Sequence, residues 1–283
     1  MDKMAVLGPT GTFSDCAAKK YVDAYQMDME LEYFNSIDET FHAVGENCRF
    51  GLIPIENTLD GYVQRTLDLM LEMDVTVVDE IIIPVQFSLV ANTENLSDMK
   101  ILYVQFKAAG QCREFIDRLR EMNPEIKIIT TESNMESYHM AQAGRPGEGA
   151  IVPAYVDAEG FSWFERNVTD SSDNYTRFIL VRDSSHDAGS RLKKPRREGN
   201  MKIPVFVSPL VDRPGMLFDI LRTFNERRIN LVAIMSRPTK KIMGTYHFYM
   251  EIDAYTEDFD TIMEAARLID VKYNLKIMGA YLV

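Results

Sequence analysis

A polar, basic segment constrains the fold of this 283-residue chain most, because it cannot belong to a buried core. Residues 183–200 read DSSHDAGSRLKKPRREGN, and only Ala188 and Leu192 among them are apolar. Such a stretch cannot bury enough surface to offset the entropy lost when it becomes ordered. We therefore predict a flexible linker between an N-terminal unit of residues 1–182 and a C-terminal unit of residues 201–283, each of domain size.

The charge balance limits the partners of this chain. Lys and Arg number 31 and Asp and Glu number 43, which gives a formal net charge of −12. A global attraction to nucleic acid or to an anionic membrane is therefore not expected, and the basic linker lacks the aromatic residues that stack on bases. The most apolar run, residues 81–85, has the length of a strand and contains a proline, so we expect no membrane span.

The cysteines and histidines indicate the compartment and argue against a metal. Cys16, Cys48 and Cys112 are odd in number and far apart, which fits free thiols in a reducing cytoplasm. The start of the chain has no basic segment followed by a long apolar one, so we expect no signal peptide. The four histidines are scattered at spacings that do not suit zinc, and we expect no metal site.

Strand and helix patterns alternate along the N-terminal unit. Apolar runs at 4–7, 50–55 and 126–130 are typical of short strands, and helical patterns lie between them. This alternation predicts an α/β architecture with mainly parallel sheets. The β-branched run at 75–90 is predicted to cross between two lobes, and the chain would return near 165–175. A cleft between two lobes is a common place for a small ligand.

The C-terminal unit has a different pattern, in the order strand, helix, strand, strand, helix, strand. The strands are predicted at 202–208, 230–236, 245–254 and 274–283, and the first helix opens at Pro214. This order predicts a ferredoxin-like βαββαβ fold of the α+β class. Its half-open sheet leaves an edge that can pair with a second copy of the chain, so we expect a homodimer or a homotetramer.

Two motifs lie next to strands and could carry chemistry. The turn LGPTGTFS (7–14) joins a strand to a helix, whose N-terminus offers free N–H groups to an anion; the alternative is that Ser14 simply caps the helix. The segment DNYTRF (173–178) supplies a hydroxyl at Thr176 and a forked cation suited to a carboxylate at Arg177. The alternative for this segment is an edge strand with exposed polar residues.

A third motif, IPIENTLDG (53–61), ends one strand and enters a loop before a helix. Ligands of open α/β sheets bind at the carboxyl ends of strands. Glu56, Asn57 and Thr58 would there offer an acceptor, an amide and a hydroxyl to one point. Ordinary turn chemistry also explains the Asn, Asp and Gly residues of this motif.

Together and in this order, these three motifs resemble those of the prephenate dehydratase family, which converts prephenate to phenylpyruvate in phenylalanine biosynthesis. The C-terminal unit resembles the ACT regulatory domain of that family at RPGMLF (213–218) and MSRP (235–238). The resemblance covers nearly the whole chain. It implies a two-lobed, periplasmic-binding-protein-like α/β catalytic domain followed by an α+β ACT domain, with neither a metal nor an organic cofactor.

The resemblance also implies roles for individual residues. The catalytic residues would be Thr176, Glu56 and Asn57, with the Thr176 hydroxyl nearest the leaving group. The substrate, prephenate, would be bound by Thr10, Thr58, Lys107, Gln111, Arg177 and Phe178. As an effector, L-phenylalanine would bind at Gly215, Met216, Leu217, Met235, Ser236, Arg237 and Pro238.

Three segments differ from the family pattern. Where the family usually has Ser-His-Pro-Gln, this chain has VQFK (104–107), so a hydroxyl and an imidazole are replaced. Lys107 is then available for a substrate carboxylate; the alternative is that it is simply a surface cation near the start of a helix. In the regulatory domain, Met235 stands where the family has a glutamate. Met216 replaces an alanine, and its larger side chain is expected to crowd the amino-acid pocket.

These differences leave two alternatives beside a regulated, cytoplasmic prephenate dehydratase. One is a divergent family member that forms another product from prephenate or a related cyclohexadienyl acid. The other is a non-catalytic amino-acid sensor that has kept the ACT domain. The dehydratase hypothesis leads because the segments ENT (56–58) and TRF (176–178) are both intact.

Overall fold

The computed structural model describes residues 2–184, 194–209, 213–240 and 243–283, and the middle of the predicted linker lies outside these residues. The strands of the N-terminal unit are β1 (Asp2–Leu7), β2 (Met29–Phe34), β3 (Phe50–Asn57), β4 (Gly61–Tyr62), β5 (Val75–Pro84), β6 (Phe87–Ala91), β7 (Ile101–Gln105), β8 (Lys127–Thr131), β9 (Glu148–Pro153), β10 (Trp163–Glu165) and β11 (Tyr175–Asp183). Its helices are α1 (Phe13–Tyr25), α2 (Ile37–Ala43), α3 (Gln64–Glu72), α4 (Phe106–Gln111), α5 (Arg113–Met122) and α6 (Asn134–Gln142).

Two separate sheets form the two predicted lobes of this unit. The first sheet has the order β2-β1-β3-β11-β5, with β4 paired to β3, and the second has the order β10-β6-β9-β7-β8. The chain passes from the first lobe to the second between β5 and β6, and it returns between β10 and β11. The prediction of a two-lobed α/β fold is confirmed.

The prediction of mainly parallel sheets is wrong, because both sheets are mixed. β1 pairs in parallel with β2 and β3, and β7 pairs in parallel with β8 and β9, as successive strand–helix–strand units require. β11, however, is antiparallel to both β3 and β5, and β6 is antiparallel to β9 and β10. Apart from the short hairpin of β3 and β4, the antiparallel pairs involve strands next to the two crossings, where the chain enters a sheet without a helical crossover.

Short polar residues cap the first two helices. Thr12, not Ser14, caps α1, since its hydroxyl accepts a hydrogen bond from the Asp15 N–H. Ser14 lies one residue inside the helix and is buried. Ser36 caps α2 in the same way, because its hydroxyl accepts a hydrogen bond from the Glu39 N–H at 3.1 Å.

The C-terminal unit is the predicted βαββαβ fold. Its elements are β12 (Asn200–Val207), α7 (Met216–Asn225), β13 (Asn230–Pro238), β14 (Tyr246–Tyr255), α8 (Phe259–Tyr273), β15 (Leu275–Ile277) and β16 (Tyr281–Leu282). The sheet has the order β13-β14-β12-β15, with β16 also on β12. The predicted last strand is interrupted at residues 278–280, and both of its parts pair with β12.

That interruption lies where the C-terminal unit docks on the first lobe. The Val77 N–H of β5 donates to the Met278 carbonyl at 2.7 Å. A Cβ atom on Gly279 would lie 2.0 Å from the Val77 carbonyl oxygen, so only glycine allows this approach. Phe206, Tyr249 and Met278 are buried in one apolar cluster together with residues of the first lobe. Among the described residues, no helix is both long enough and apolar enough to cross a membrane.

Candidate active site

The ends of β3 and β11 bring two of the predicted residues together. Asn57 and Thr176 are directly paired across these antiparallel strands. The Asn57 Nδ2 donates to Thr176 Oγ1 at 3.0 Å and to the Tyr175 carbonyl oxygen, also at 3.0 Å. The Asn57 Oδ1 accepts from the backbone N–H groups of Leu59 and Asp60 at 2.9 and 3.0 Å. Because both ends of the amide are engaged, its orientation is fixed.

A chain of amides continues from Asn57 into the second lobe. Asn174 is completely buried, and its Oδ1 accepts from Asn57 Nδ2 at 2.8 Å. The Asn174 Nδ2 donates to Gln111 Oε1 at 2.9 Å. Gln111 ends α4 of the second lobe, and its carbonyl accepts from the Asp170 N–H of the returning segment. Asn57, Asn174 and Gln111 therefore connect the two lobes where the crossings meet.

This arrangement leaves a hydroxyl proton available at Thr176. Its oxygen accepts a hydrogen bond from Asn57, so its own O–H is not used in that bond and can donate to a different acceptor. Thr176 is partly exposed, whereas Asn57 and Asn174 beside it are buried. The site thus presents a fixed hydroxyl donor at the junction of the lobes.

Thr58 contributes to the backbone of the site. Its hydroxyl donates to the Asp173 carbonyl at 2.9 Å and accepts from the Tyr175 N–H, also at 2.9 Å. The Thr58 N–H donates to the Tyr175 carbonyl at 3.0 Å. The position of Thr58 fits a residue that clamps the strand carrying Thr176, and the side chain is engaged with protein rather than free for a ligand.

Glu56 and Arg177 do not face Thr176, which corrects the prediction that they converge with it on one site. The register between β3 and β11 jumps from the pair Phe178–Pro54 to the pair Arg177–Glu56, so Ile55 is a bulge residue. The bulge puts Glu56 on the same face as Arg177, while Asn57 shares the opposite face with Thr176. The guanidinium donates to Glu56 Oε2 from Nη2 at 2.9 Å and from Nε at 3.1 Å.

On its own face of the sheet, Arg177 belongs to a group of charges that we call the Arg177 cluster: Arg177, Glu56, Glu80, Lys202 and Glu251. The side chains of Arg177, Glu80 and Glu251 are buried, whereas those of Glu56 and Lys202 are partly exposed. Arg177 Nη1 donates to Glu80 at 3.0 Å and to both Glu251 oxygens at 3.0 and 2.9 Å. Lys202 Nζ donates to Glu80 at 2.7 Å. Burial disfavours the charged form of Glu80, but Lys202 and Arg177 outweigh it and lower the pKa of that carboxyl.

Phe178 is also placed away from a ligand. It is buried, with 1% of its surface exposed, and it packs in the apolar cluster of Met4, Val6 and Leu52 beneath α1. The prediction that it binds substrate therefore gives way to a packing role. The strand alternates Thr176, Arg177 and Phe178 between its two faces, and only the first of these side chains lies at the lobe junction.

The turn LGPTGTFS lies where the first lobe meets the second. Tyr155 of the second lobe donates to the Gly11 carbonyl at 3.2 Å, and its ring packs edge-on against Phe13. A Cβ atom on Gly11 would lie 2.6 Å from the Met135 side chain of α6. Thr10 is exposed, and its hydroxyl has no hydrogen-bond partner among the residues that the structure describes.

The start of α1 already holds an anion of the protein itself. Asp15 is buried and accepts hydrogen bonds from the Gly11 N–H, the Tyr33 hydroxyl and Lys19. Burial opposes its ionisation, yet these three donors outweigh burial and lower its pKa. The Asp15 carboxylate therefore takes up the Gly11 N–H, a backbone donor of the turn that was predicted to bind an external anion. The Thr10 side chain of the same turn stays exposed.

At the start of α4, the four residues that differ from the family pattern have distinct environments. Val104 is fully buried, and the Gln105 side chain caps the helix by accepting from the Lys107 and Ala108 N–H groups. Phe106 is 75% exposed. Lys107 is exposed, and within the described ranges its ammonium has no ion-pair partner.

The two predicted regulatory segments have different environments. Gly215 adopts a φ of +83° before α7, and Met216 is buried in the core of the C-terminal unit, where Leu217 packs against it. Met216 therefore fills the core instead of crowding an open pocket. Met235 packs against the apolar cluster shared with the first lobe, and Ser236 and Pro238 are exposed.

Arg237, the remaining polar residue of the second segment, contacts the other domain. Its Nη2 donates to both carboxylate oxygens of Asp68 on α3 at 3.0 and 3.1 Å, and Lys240 donates to the same carboxylate at 2.6 Å. Burial raises the pKa of Asp68, but the two cations outweigh it and the net shift is downward. In this structure Arg237 therefore docks the C-terminal unit.

Asn174 is the site residue that the sequence analysis did not single out. It stands two residues before Thr176, at the entry to β11, in a segment whose polar residues an exposed edge strand explained as well. Its complete burial between two other amides is a tertiary feature with no local signal. Within the described parts of the chain, no group of three or more His, Cys, Asp or Glu side chains could hold a metal ion.

Comparisons with known proteins match this architecture along the whole chain. The family model described as Prephenate dehydratase matches residues 4–186, and the ACT domain model matches residues 210–269. A prephenate dehydratase of Methanocaldococcus jannaschii is 31% identical over 276 residues, which cover 96% of this chain and 95% of the relative. A bifunctional chorismate mutase/prephenate dehydratase of Aquifex aeolicus is 30% identical, over 99% of this chain and 73% of its own length.

Solved structures agree with the sequence matches. A prephenate dehydratase from Arthrobacter aurescens, in complex with L-Phe, has a TM-score of 0.82 at 28% identity and covers 99% of this chain and 90% of its own. The prephenate dehydratase from Staphylococcus aureus has a TM-score of 0.79 at 25% identity, over 99% of this chain and 100% of its own. This chain therefore belongs to the prephenate dehydratase family and carries the family's C-terminal ACT domain.

Proposed function

We propose that this protein converts prephenate to phenylpyruvate, carbon dioxide and water at the junction of its two lobes. The observation that carries the proposal is the hydrogen bond from Asn57 to Thr176, which leaves the Thr176 hydroxyl proton free to donate. The family assignment supports the same reaction.

The reaction requires little chemistry from the protein. The electron pair of the bond to the departing carboxylate moves into the ring, the ring hydroxyl leaves, and one proton converts the departing hydroxide to water. Formation of an aromatic ring supplies the driving force. The protein must orient the dianion and stabilise the leaving oxygen with a hydrogen-bond donor, and Thr176 serves as that donor or relays the proton from water.

Several residues support the reaction without touching the leaving oxygen. Asn57 holds Thr176 and is held by Asn174, and Gln111 closes the amide chain from the second lobe. Lys107 and Thr10 bind the substrate carboxylates, because both side chains are exposed and carry donors that the described residues leave unused. No step in this mechanism requires a metal or an organic cofactor.

The ACT domain regulates this activity, with L-phenylalanine as the effector. Support comes from the relative that was solved with L-Phe and from the segments at Gly215 and Met235. The chain forms a homodimer or homotetramer through the edge strand β13, where Val232 and Ile234 are about half exposed. The enzyme acts in the cytoplasm, where its three free cysteines remain reduced.

Product identification tests the proposed function. Purified protein is incubated with prephenate at neutral pH, and the products are separated and measured with and without L-phenylalanine. We expect phenylpyruvate to form well above the spontaneous rate, with a rate that responds to L-phenylalanine. Release of carbon dioxide without phenylpyruvate would indicate the divergent reaction, and binding of an amino acid without any turnover would indicate a sensor.

A further inference from the structure

The Arg177 cluster joins the catalytic and the ACT domains at one buried point. Arg177 is 6% exposed and lies between carboxylates from three strands: Glu56 on β3, Glu80 on β5 and Glu251 on β14 of the ACT domain. Its contact with Glu251 uses both carboxylate oxygens. Lys202 of β12 is the second cation, 2.7 Å from Glu80 and 3.9 Å from Glu251.

Three tyrosine hydroxyls complete the cluster. Tyr249 donates to Glu251 at 2.8 Å, Tyr281 donates to Glu80 at 3.0 Å, and Tyr62 accepts from Arg177 at 3.3 Å. Burial, reinforced by the carboxylates, raises the pKa of Tyr249 and Tyr281 far above the ordinary value, so both hydroxyls stay protonated as donors. Every charged group of the Arg177 cluster is thus hydrogen-bonded, and these bonds fix the relative positions of its side chains.

The ends of β3 and β11 carry the Arg177 cluster on one face of the sheet and the candidate active site on the other. Arg177 follows Thr176 on β11, and Glu56 precedes Asn57 on β3. Both pairs are in register, Arg177 with Glu56 and Thr176 with Asn57. A rotation or shift of either strand end that changes the cluster must therefore also change the hydrogen bond between Asn57 and Thr176.

Stability alone is a poor explanation for such a cluster. A buried ion pair gains little over well-packed apolar residues, because the cost of removing charges from water offsets their attraction. The forked guanidinium does, however, fix the relative positions of the three strands to which it bonds. The apolar contacts of Phe206, Tyr249 and Met278 already supply adhesion between the domains.

We propose that Glu251 of the ACT domain is a positioning residue for the active site. It acts through Arg177, which sets the ends of β3 and β11 and thereby the geometry of Asn57 and Thr176. Movement of β14 on effector binding would reach the active site by this route. The proposal rests on the proposed function, since it names how the ACT domain controls that same site.

The test compares Glu251→Gln with Lys276→Met in the full-length protein. Glu251→Gln keeps the shape of the side chain and removes its charge beside Arg177. Lys276→Met removes a different contact between the domains, the hydrogen bonds of Lys276 to the carbonyls of Met70, Leu71 and Met73 at the end of α3. Each variant is measured for kcat and KM with prephenate, for the response to L-phenylalanine, and for thermal unfolding.

We expect Glu251→Gln to lower kcat at least about tenfold with little change in KM, because a small misplacement of a reacting group has a large effect on rate. Its response to L-phenylalanine should be lost while calorimetry still detects binding. Lys276→Met should lower the unfolding temperature and leave kcat and the response unchanged. A folded Glu251→Gln variant with wild-type kcat and a wild-type response would overturn the proposal.

Two further measurements keep the result unambiguous. If Glu251→Gln does not fold, Glu251→Asp retains the charge at a shorter reach, and its kcat should fall by more than that of Lys276→Met. Hydrogen exchange of the amides at 56–58 and 175–177 should become faster in the Glu251 variants and not in Lys276→Met. A wild-type protein without turnover would refute the proposed function, whereas this exchange comparison would still decide whether the cluster positions the strand ends.

Discussion

The amide of Asn57 determines what the hydroxyl of Thr176 can do. Its two N–H groups are shared among three acceptors, Asn174 Oδ1, the Tyr175 carbonyl and Thr176 Oγ1, so it cannot rotate without losing several bonds. Asn174 in turn depends on Gln111 of the other lobe. At the scale of residues, the site is one connected set of amides rather than a collection of independent contacts.

Removal of Asn174 should therefore disrupt both lobes at once. Asn174→Ala removes one of the three acceptors of the Asn57 amide and the donor to Gln111 Oε1, which should cost about 1–3 kcal/mol of stability and lower kcat. Asn92→Ala is the matched control, because Asn92 also donates a side-chain hydrogen bond within the second lobe, to the Ala141 carbonyl. Chemical denaturation and steady-state kinetics provide the two measurements. Equal kcat in the two variants would contradict a role for Asn174 in the site.

Part of this site was predictable from single residues. The segments around Asn57 and Thr176 were identified by their polar residues at strand ends, and Gln111 by resemblance. The different faces of Thr176 and Arg177 also follow from strand alternation, since neighbouring residues of a strand point to opposite sides. The pairing of Glu56 with Arg177 could not be predicted in this way, because the bulge at Ile55 has no signature in the sequence.

At the scale of elements, the turn between β1 and α1 sets how closely the lobes approach. Gly11 has a φ of +79°, where a side chain is strained, and a Cβ atom there would contact Met135 of the second lobe. Thr12 and Asp15 hold the turn by hydrogen bonds to its backbone. The turn is therefore held by hydrogen bonds within the first lobe and is tightly packed against Met135 of the second lobe.

Gly11→Ala tests this packing. We expect a loss of about 1–2 kcal/mol from the left-handed backbone and, in addition, a higher KM for prephenate as Met135 is displaced. Gly160→Ala is the control, because Gly160 has a similar φ of +90° and a Cβ atom added to it would meet no other atom within 4 Å. Unfolding curves should show a loss in both variants. A KM that is unchanged in Gly11→Ala would argue against a contribution of this turn to substrate binding.

The whole molecule is held together by charges as well as by apolar contacts between its domains. The alternation of strands and helices predicted the two lobes and the ACT fold, because each depends on local periodicity. The docking of the ACT domain on the first lobe was not predictable. It depends on Gly279 against Val77 and on carboxylates at Asp68 and Glu80, which are distant along the chain from their cationic partners.

These carboxylates predict an acid sensitivity of the assembled molecule. The pKa values of Glu80 and Asp68 lie below their ordinary values of 4.5 and 3.8 in the folded protein, because cations stabilise the charged forms against the effect of burial. Their stabilisation is therefore complete above these values and is lost as the pH falls through the lower, folded-state pKa values. Thermal unfolding followed from pH 7 into this acid range should show a declining midpoint.

Asp68→Asn provides the control for this acid sensitivity. The variant should be less stable than the wild type at neutral pH, and the difference should shrink as the pH falls, because the wild-type carboxylate is then protonated as well. A difference that stays constant down to the lowest pH would show that the charge of Asp68 does not contribute.

The rate of phenylpyruvate formation by Thr176→Val, compared with Thr176→Ser, tests the central role of the Thr176 hydroxyl most directly. Valine keeps the shape of the side chain and lacks the donor, so kcat should fall about 10²–10³-fold, as for loss of a group that assists proton transfer. Serine keeps the hydroxyl and should retain most of the activity. A Thr176→Val protein that forms phenylpyruvate at the wild-type rate would contradict this account.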